Sequence, residues 1–151
     1  MRDSTLHVTR TRYATSADTP FVSQDGYISA AIIARKIAAQ EVVMAERDGV
    51  PVGYARIEYL WSKVPYLALI RVVPNARRQG IGRAILTYLT KELLAAGHSA
   101  LFSSSQADEP DPQAWHRHMG FVECGHLTGI NAGGVDEIFF RKDLGPDPAS
   151  R

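Results

Sequence analysis

The stretch that most constrains this chain is YLALIRVVPNARRQGIGRAIL, residues 66–86. Tyr66 to Val73 are apolar at nearly every position, as in a strand covered on both faces and central in a sheet. Pro74 cannot donate to a ladder and forces the chain out. After a short passage rich in Arg and Gly, Ile81, Ala84, Ile85, Tyr88, Leu89, Leu93 and Ala96 recur at the helical period, and Gly97 stands where a left-handed terminator belongs. The pattern predicts a helix over 81–96. A buried strand feeding an amphipathic helix through a tight loop calls for a sheet with helices packed on it, and excludes a pure helical bundle or an all-β sandwich.

The remaining segments fit that plan. TLHVTRTRY alternates as a half-exposed strand, and residues 14–26 are polar and read as irregular. Ile28, Ala31, Ile32, Ile33 and Ala38 mark the dry side of a helix ending near Gln40, with Ser29, Arg35 and Lys36 on its wet side. VVMAE, the turn pair Asp48-Gly49, VPVGYARIEYL, SKVP and the apolar run form a meander. HSALFSSS reads as a strand, and EPDPQAWHRHMGF as a short helix with Asp111 as N-cap, Pro112 at its first position and Gly120 at its end. FVECGHL and EIFFRKDL are the last strands, joined by the flexible TGINAGGV. The expected fold is α+β (mixed α/β). With 151 residues there is room for one domain, placed at 4–144, with GPDPASR (145–151) as a loose tail.

Composition narrows the chemistry. Lys and Arg number 17 against 16 Asp and Glu, a net charge of +1, so no global field favours nucleic acid or an anionic membrane. The single Cys124 can form no internal disulfide and fits no zinc spacing; its apolar strand suggests a core or near-core thiol. MRDSTLHVTRTRY lacks the apolar heart of a signal peptide, and no run approaches 18 uninterrupted apolar residues. The expectation is a cytoplasmic protein without a metal.

At the strand-to-helix junction, Gly80 and Gly82 remove side chains where a backbone must approach something closely, and the helix begins there with unpaired N–H groups. With Arg77, Arg78 and Arg83 beside it, this is a cradle for a diphosphate. No Gly-Lys-Ser/Thr follows and the three-glycine dinucleotide spacing is absent, which excludes both of those nucleotide loops. Arg77-x-x-Gly80-x-Gly82 after an apolar strand resembles the acetyl-coenzyme A signature of the GNAT N-acetyltransferase superfamily. WHRHMGF at 115–121 resembles that family's aromatic-Tyr-x-x-x-Gly-Phe segment.

The resemblance implies a GNAT-like, mostly antiparallel sheet of about six to seven strands with helices on both faces, and transfer of an acetyl group from acetyl-CoA to a primary amine in a direct ternary complex. It implies that Arg77, Arg78, Gln79, Gly80, Ile81, Gly82 and Arg83 hold the pyrophosphate and that Leu69, Ile70, Arg71, Val72 and Val73 pair their backbone with the pantetheine arm, with an N–H near Ile70 or Arg71 on the reacting carbonyl. The acceptor is an unidentified amine on a small molecule or peptide, a protein acceptor or a noncatalytic acyl-CoA module being the alternatives. The family's C-terminal strands allow a homodimer.

Two positions depart from the pattern. His116 stands where relatives keep a Tyr that protonates the leaving thiolate, and reads either as its replacement or as a packing residue beside Trp115. Tyr66 stands where some relatives carry a carboxylate base. Glu58 is then the nearest carboxylate in register, alternating with Tyr54 and Arg56 along its strand, either as the base or in a surface ion pair. Ser103, Ser104, Ser105 and Gln106 offer polar groups to pantetheine. Asp136 and Glu137 would add negative charge on the acceptor side, Trp61 and Tyr27 would wall a cleft or fill the core, and His118 faces solvent.

Overall fold

The computed structural model describes residues 7–145. Residues 4–6 of the expected domain and 146–151 of the expected tail lie outside them. Seven strands, β1 (Thr9–Tyr13), β2 (Val42–Arg47), β3 (Val50–Leu60), β4 (Val64–Val72), β5 (Ala100–Gln106), β6 (Val122–Leu127) and β7 (Glu137–Asp143), form one sheet in the order β1-β2-β3-β4-β5-β7-β6. The helices are α1 (Thr19–Val22), α2 (Ala30–Ala38), α3 (Ile81–Ala95) and α4 (Pro110–His118). The β1–β2, β2–β3, β5–β7 and β6–β7 pairs are antiparallel, while β4 and β5 pair in parallel at Tyr66↔Phe102 and Leu67↔Ser103. This is the mixed α+β architecture the sequence predicts, with the mostly antiparallel sheet that the resemblance implies.

The described residues gather into two compact units, one built from residues 7–56 and Leu69–Leu89 and the other from Ile57–Ala68 and residues 90–145. In the first, Ala14, Val22, Ile33, Val42, Met44 and Tyr54 form a buried cluster under α1 and α2, flanked by Phe21, Ile28, Ile37 and Leu69. Neighbouring residues of a strand point to opposite faces. On the face opposite Tyr54, a Cβ at Gly53 would sit 3.1 Å from Ile81 and 3.3 Å from Ile85, so the missing side chain is what lets α3 lie close to β3. Helices thus cover both faces of this part of the sheet. In the second unit, Leu101, Ser103 and Ser105 of β5 are buried, while Phe102, Ser104 and Gln106 on the other face are half-buried.

Several boundaries differ from expectation for local reasons. Residues 14–26 are not irregular: Thr15 and Asp18 form a capping box over a short 3-10 turn, and Pro20 opens α1. The residue before the first turn of α4 is Glu109 rather than Asp111, because Pro110 already occupies that turn, and the Glu109 side chain makes no capping hydrogen bond. Cys124 is exposed, not core. The β6–β7 register skips from Glu123↔Phe140 to Gly125↔Phe139, so Cys124 is the extra residue of a bulge on the strand that ends the sheet. Ala68 to Val72 are half-buried rather than covered on both faces. Trp61 and Tyr27 are exposed and fill no core. No described helix is long and apolar enough to cross a membrane.

Candidate functional site

The loop between β4 and α3 belongs to the first unit. It leaves β4 through a 3-10 turn at Pro74–Ala76, with Ala76 buried as its anchor. Arg78 (φ 61) and Gly80 (φ 82) both take the left-handed conformation, which turns the chain sharply into the helix. Ala84 N–H donates to Gly80 O at 3.0 Å, so the helical ladder starts there and the N–H groups of the preceding residues have no intrahelical acceptor. Arg77, Arg78, Gln79, Gly80 and Arg83 are exposed, Gly82 is half-buried and Ile81 is buried as the helix's foot in the core. Arg77 folds back, its Nε donating to Val72 O at 3.0 Å, and Gln79 Nε2 donates to Asn75 O at 3.1 Å. These bonds fix the loop's shape and leave open space where a Cβ of Gly80 would stand. The arrangement can take an anion on its backbone donors with guanidinium groups at its rim. Leu69 to Val73 lead straight into it, and on the β3 side Val73 N–H donates to Val52 O at 2.8 Å.

The second unit holds a polar chain across three strands. Ser104 Oγ donates to Glu137 Oε2 at 2.6 Å, and Asn131 Nδ2 donates to Glu137 Oε1 at 3.0 Å. Tyr66 Oη lies 2.5 Å from Ser104 Oγ. Burial is the largest influence raising the Tyr66 pKa, opposed by the Ser104 hydrogen bond and reinforced by the charges of Glu137 and Glu58. Glu58 itself is exposed on β3. Sequence reasoning singled out these residues separately; what it missed is that the fold joins Tyr66, Ser104 and Glu137 into one chain. Asp136 closes its loop instead, accepting from Gly129 N–H at 2.8 Å.

His116 is 4% exposed, stacked on Phe140 with ring centroids 4.7 Å apart and edge-on to Trp115 and Phe121. Its Nε2 lies 2.7 Å from Ser103 Oγ, whose single hydrogen goes to Leu67 O at 3.1 Å. Nδ1 is buried without a hydrogen-bond partner. Burial, the largest influence on it, holds the imidazole below its ordinary pKa.

In the first unit, the polar face of β3 is already occupied. Asp25 receives Arg56 Nη1 at 2.6 Å and Nη2 at 2.9 Å, and Tyr54 Oη at 2.6 Å. Both partners of the ion pair are buried. Of the alternating set Tyr54, Arg56 and Glu58, only Glu58 faces solvent. Among the described residues no group of His, Cys, Asp and Glu could hold a metal ion.

The sequence matches no curated protein. Solved structures do resemble it. A ribosomal-protein-alanine N-acetyltransferase from Brucella melitensis is 26% identical, with a TM-score of 0.75 over 89% of this chain and 99% of that one. The ribosomal-protein-S18-alanine N-acetyltransferase of Escherichia coli is 19% identical, with a TM-score of 0.76 over 95% and 99%. The protein yncA from Salmonella typhimurium, solved with its cofactor acetyl-CoA, is 17% identical, with a TM-score of 0.74 over 95% and 98%. A sequence model of the acetyltransferase (GNAT) family matches residues 9–121, most of the chain, and so the protein belongs to that family and is an acetyl-CoA-dependent acetyltransferase.

Proposed function

We propose that the protein transfers the acetyl group of acetyl-CoA to a primary amine of a small molecule or peptide by direct attack in a ternary complex. The observation that carries this is the loop at Arg77–Arg83, with two left-handed residues and the first donors of α3 presented together. In this reading the backbone of Arg78 to Arg83 holds the pyrophosphate, and Leu69 to Val73 pair with the pantetheine arm. The likeness to two ribosomal-protein alanine N-acetyltransferases favours a peptide α-amine among the acceptors to be tried first. The span matched by the family supports treating residues 4–144 as one catalytic domain. The lone, exposed Cys124 suits a reducing cytoplasm.

The test is CoA titration by calorimetry into wild type and Gly82→Val. A branched side chain in the first turn should stand between the helix N-terminus and the phosphates, lowering affinity about tenfold or more while the melting temperature moves little. Unchanged affinity in the folded variant would remove the loop from the cofactor site. Arg77→Ala and Arg78→Ala should weaken binding only a few-fold, and less at high salt, because both guanidinium groups are exposed.

The amine must lose a proton, and Glu58, exposed and close enough for its charge to act on Tyr66, is the carboxylate we place in that role. The leaving thiolate has a pKa near that of free thiols, about 8.5, and solvent can protonate it at neutral pH. His116, neutral and enclosed, then has a positioning role through Ser103 and Leu67. His116→Phe should keep the pH profile of turnover unchanged in shape; loss of a limb near pH 6–7 would instead make it the proton donor.

A further inference from the structure

We infer that Glu137 and Ser104 orient the Tyr66 hydroxyl as an acceptor-only group that selects and aligns the N–H donor of the incoming amine. The inference deepens the acetyltransferase reading above and rests on it. Its ground is the direction of the hydrogen bonds. Glu137 as a carboxylate can only accept, so Ser104 spends its one hydrogen on Glu137 Oε2. Ser104 Oγ can then only accept from Tyr66 Oη, 2.5 Å away. Tyr66 has no hydrogen left to give, and its oxygen has only lone pairs for any further partner. Asn131 fixes the far end by donating to Glu137 Oε1 at 3.0 Å. The ring is held by β4 and lies beside Phe139 of β7, with centroids 6.0 Å apart.

An amine meets such an oxygen as a donor. Its N–H hydrogen points to Tyr66 and its lone pair stays available for attack. A donor at Tyr66 would do the opposite and occupy the nucleophile's lone pair. The chain thus favours amines, which keep a lone pair while donating, over acceptors with no hydrogen to donate. Glu137 touches no substrate in this scheme; it is a positioning residue acting through Ser104 and Tyr66.

The polarity makes an unusual prediction for Glu137→Gln. Asn131 still donates to the position of Oε1, so the new amide sets its oxygen there and its NH2 toward Ser104. Ser104 must now accept from Gln and donate to Tyr66, and the Tyr66 hydrogen turns outward. Tyr66→Phe only removes the acceptor, whereas Glu137→Gln installs a donor aimed at the amine. With acetyl-CoA saturating, and an alanine-initiated peptide and a simple alkylamine as acceptors, thiol release should show kcat/KM for the amine about tenfold down in Tyr66→Phe and further down in Glu137→Gln. The double variant should recover to the level of Tyr66→Phe alone. Calorimetric CoA affinity should stay within a few-fold in all three. Losses that multiply in the double variant, or a Glu137→Gln enzyme no worse than Tyr66→Phe, would overturn the inference.

A second measurement needs no acceptor. Tyr66 is faced by Ser104, Glu137 and Glu58, and phenolate absorbance should show its ionisation at lower pH in Glu137→Gln than in wild type, with Tyr66→Phe identifying the transition. An unshifted transition would break the link between Glu137 and Tyr66. A shifted one, with CoA bound and no amine acetylated by wild type, would fault the acceptor reading and leave the chain of bonds standing.

Discussion

Glu58→Gln should lower the rate of acetyl transfer at pH 7 by about 10²–10⁴-fold with acetyl-CoA saturating, and the loss should shrink as pH rises. An alkylamine with a pKa near 10.4 is almost wholly protonated at neutral pH, so a group that takes the proton as the amine binds is worth the most there. As the free amine becomes abundant the requirement fades, which gives the variant a steeper rise of rate with pH than wild type. The residue is exposed on β3, so the change should leave stability within about 0.5 kcal/mol, and a lost rate cannot then be blamed on a lost fold. The readout that separates it from the Tyr66 chain is the pH profile. A defect in orienting the amine persists at high pH, whereas a defect in deprotonating it does not. A Glu58→Gln enzyme that works normally at pH 7 would return Glu58 to the surface-pair reading and leave a water path as the proton's route.

What could be read from the sequence was what local punctuation writes. Pro74 and Gly97 bracket the loop and α3, and the structure ends that helix with Gly97 at φ 91. The Gly-Arg loop was legible because backbone sites need particular spacing and almost no particular side chains. The turn at residues 15–18 was missed although its Thr-x-x-Asp pattern was present, since a 3-10 turn of three residues carries no periodicity to support the cap. Cys124 was misplaced because alternation fails at a bulge, and a bulge is decided by the partner strand. The polar groups on β3, β4 and β5 were visible one at a time. Arg56 finds Asp25 from 31 residues away and Ser104 finds Glu137 from 33, and no short-range pattern encodes such meetings.

Replacing Asp25 by Ala should be the most destabilising single change in the first unit, at about 3–5 kcal/mol, because it strands the buried Arg56 guanidinium. For a chain of this size that corresponds to a fall in Tm of about 6–20 °C in a thermal melt. Arg56 is 4% exposed and cannot turn to water without breaking its packing, and of its recorded acceptors only Val22 O, at 3.4 Å, would remain. Tyr54 would lose its acceptor as well. Adding Arg56→Met should recover part of the loss, since an apolar side chain of similar volume removes the stranded charge. The acid limb supplies an independent check. Burial raises the Asp25 pKa, but the hydrogen bonds from Arg56 and Tyr54 outweigh it and hold the carboxyl well below the usual carboxylate range. A depressed folded value means that the pair's contribution is complete above the unfolded Asp pKa of about 3.9 and is lost as pH falls below it toward the folded value. Wild type should therefore lose stability below about pH 4 more steeply than Asp25→Ala, whose curve lacks this group. Parallel acid limbs, or a variant within 1 kcal/mol of wild type at pH 7, would show that Arg56 finds solvent or another acceptor and that Asp25 does not anchor the segment between α1 and α2 to β3.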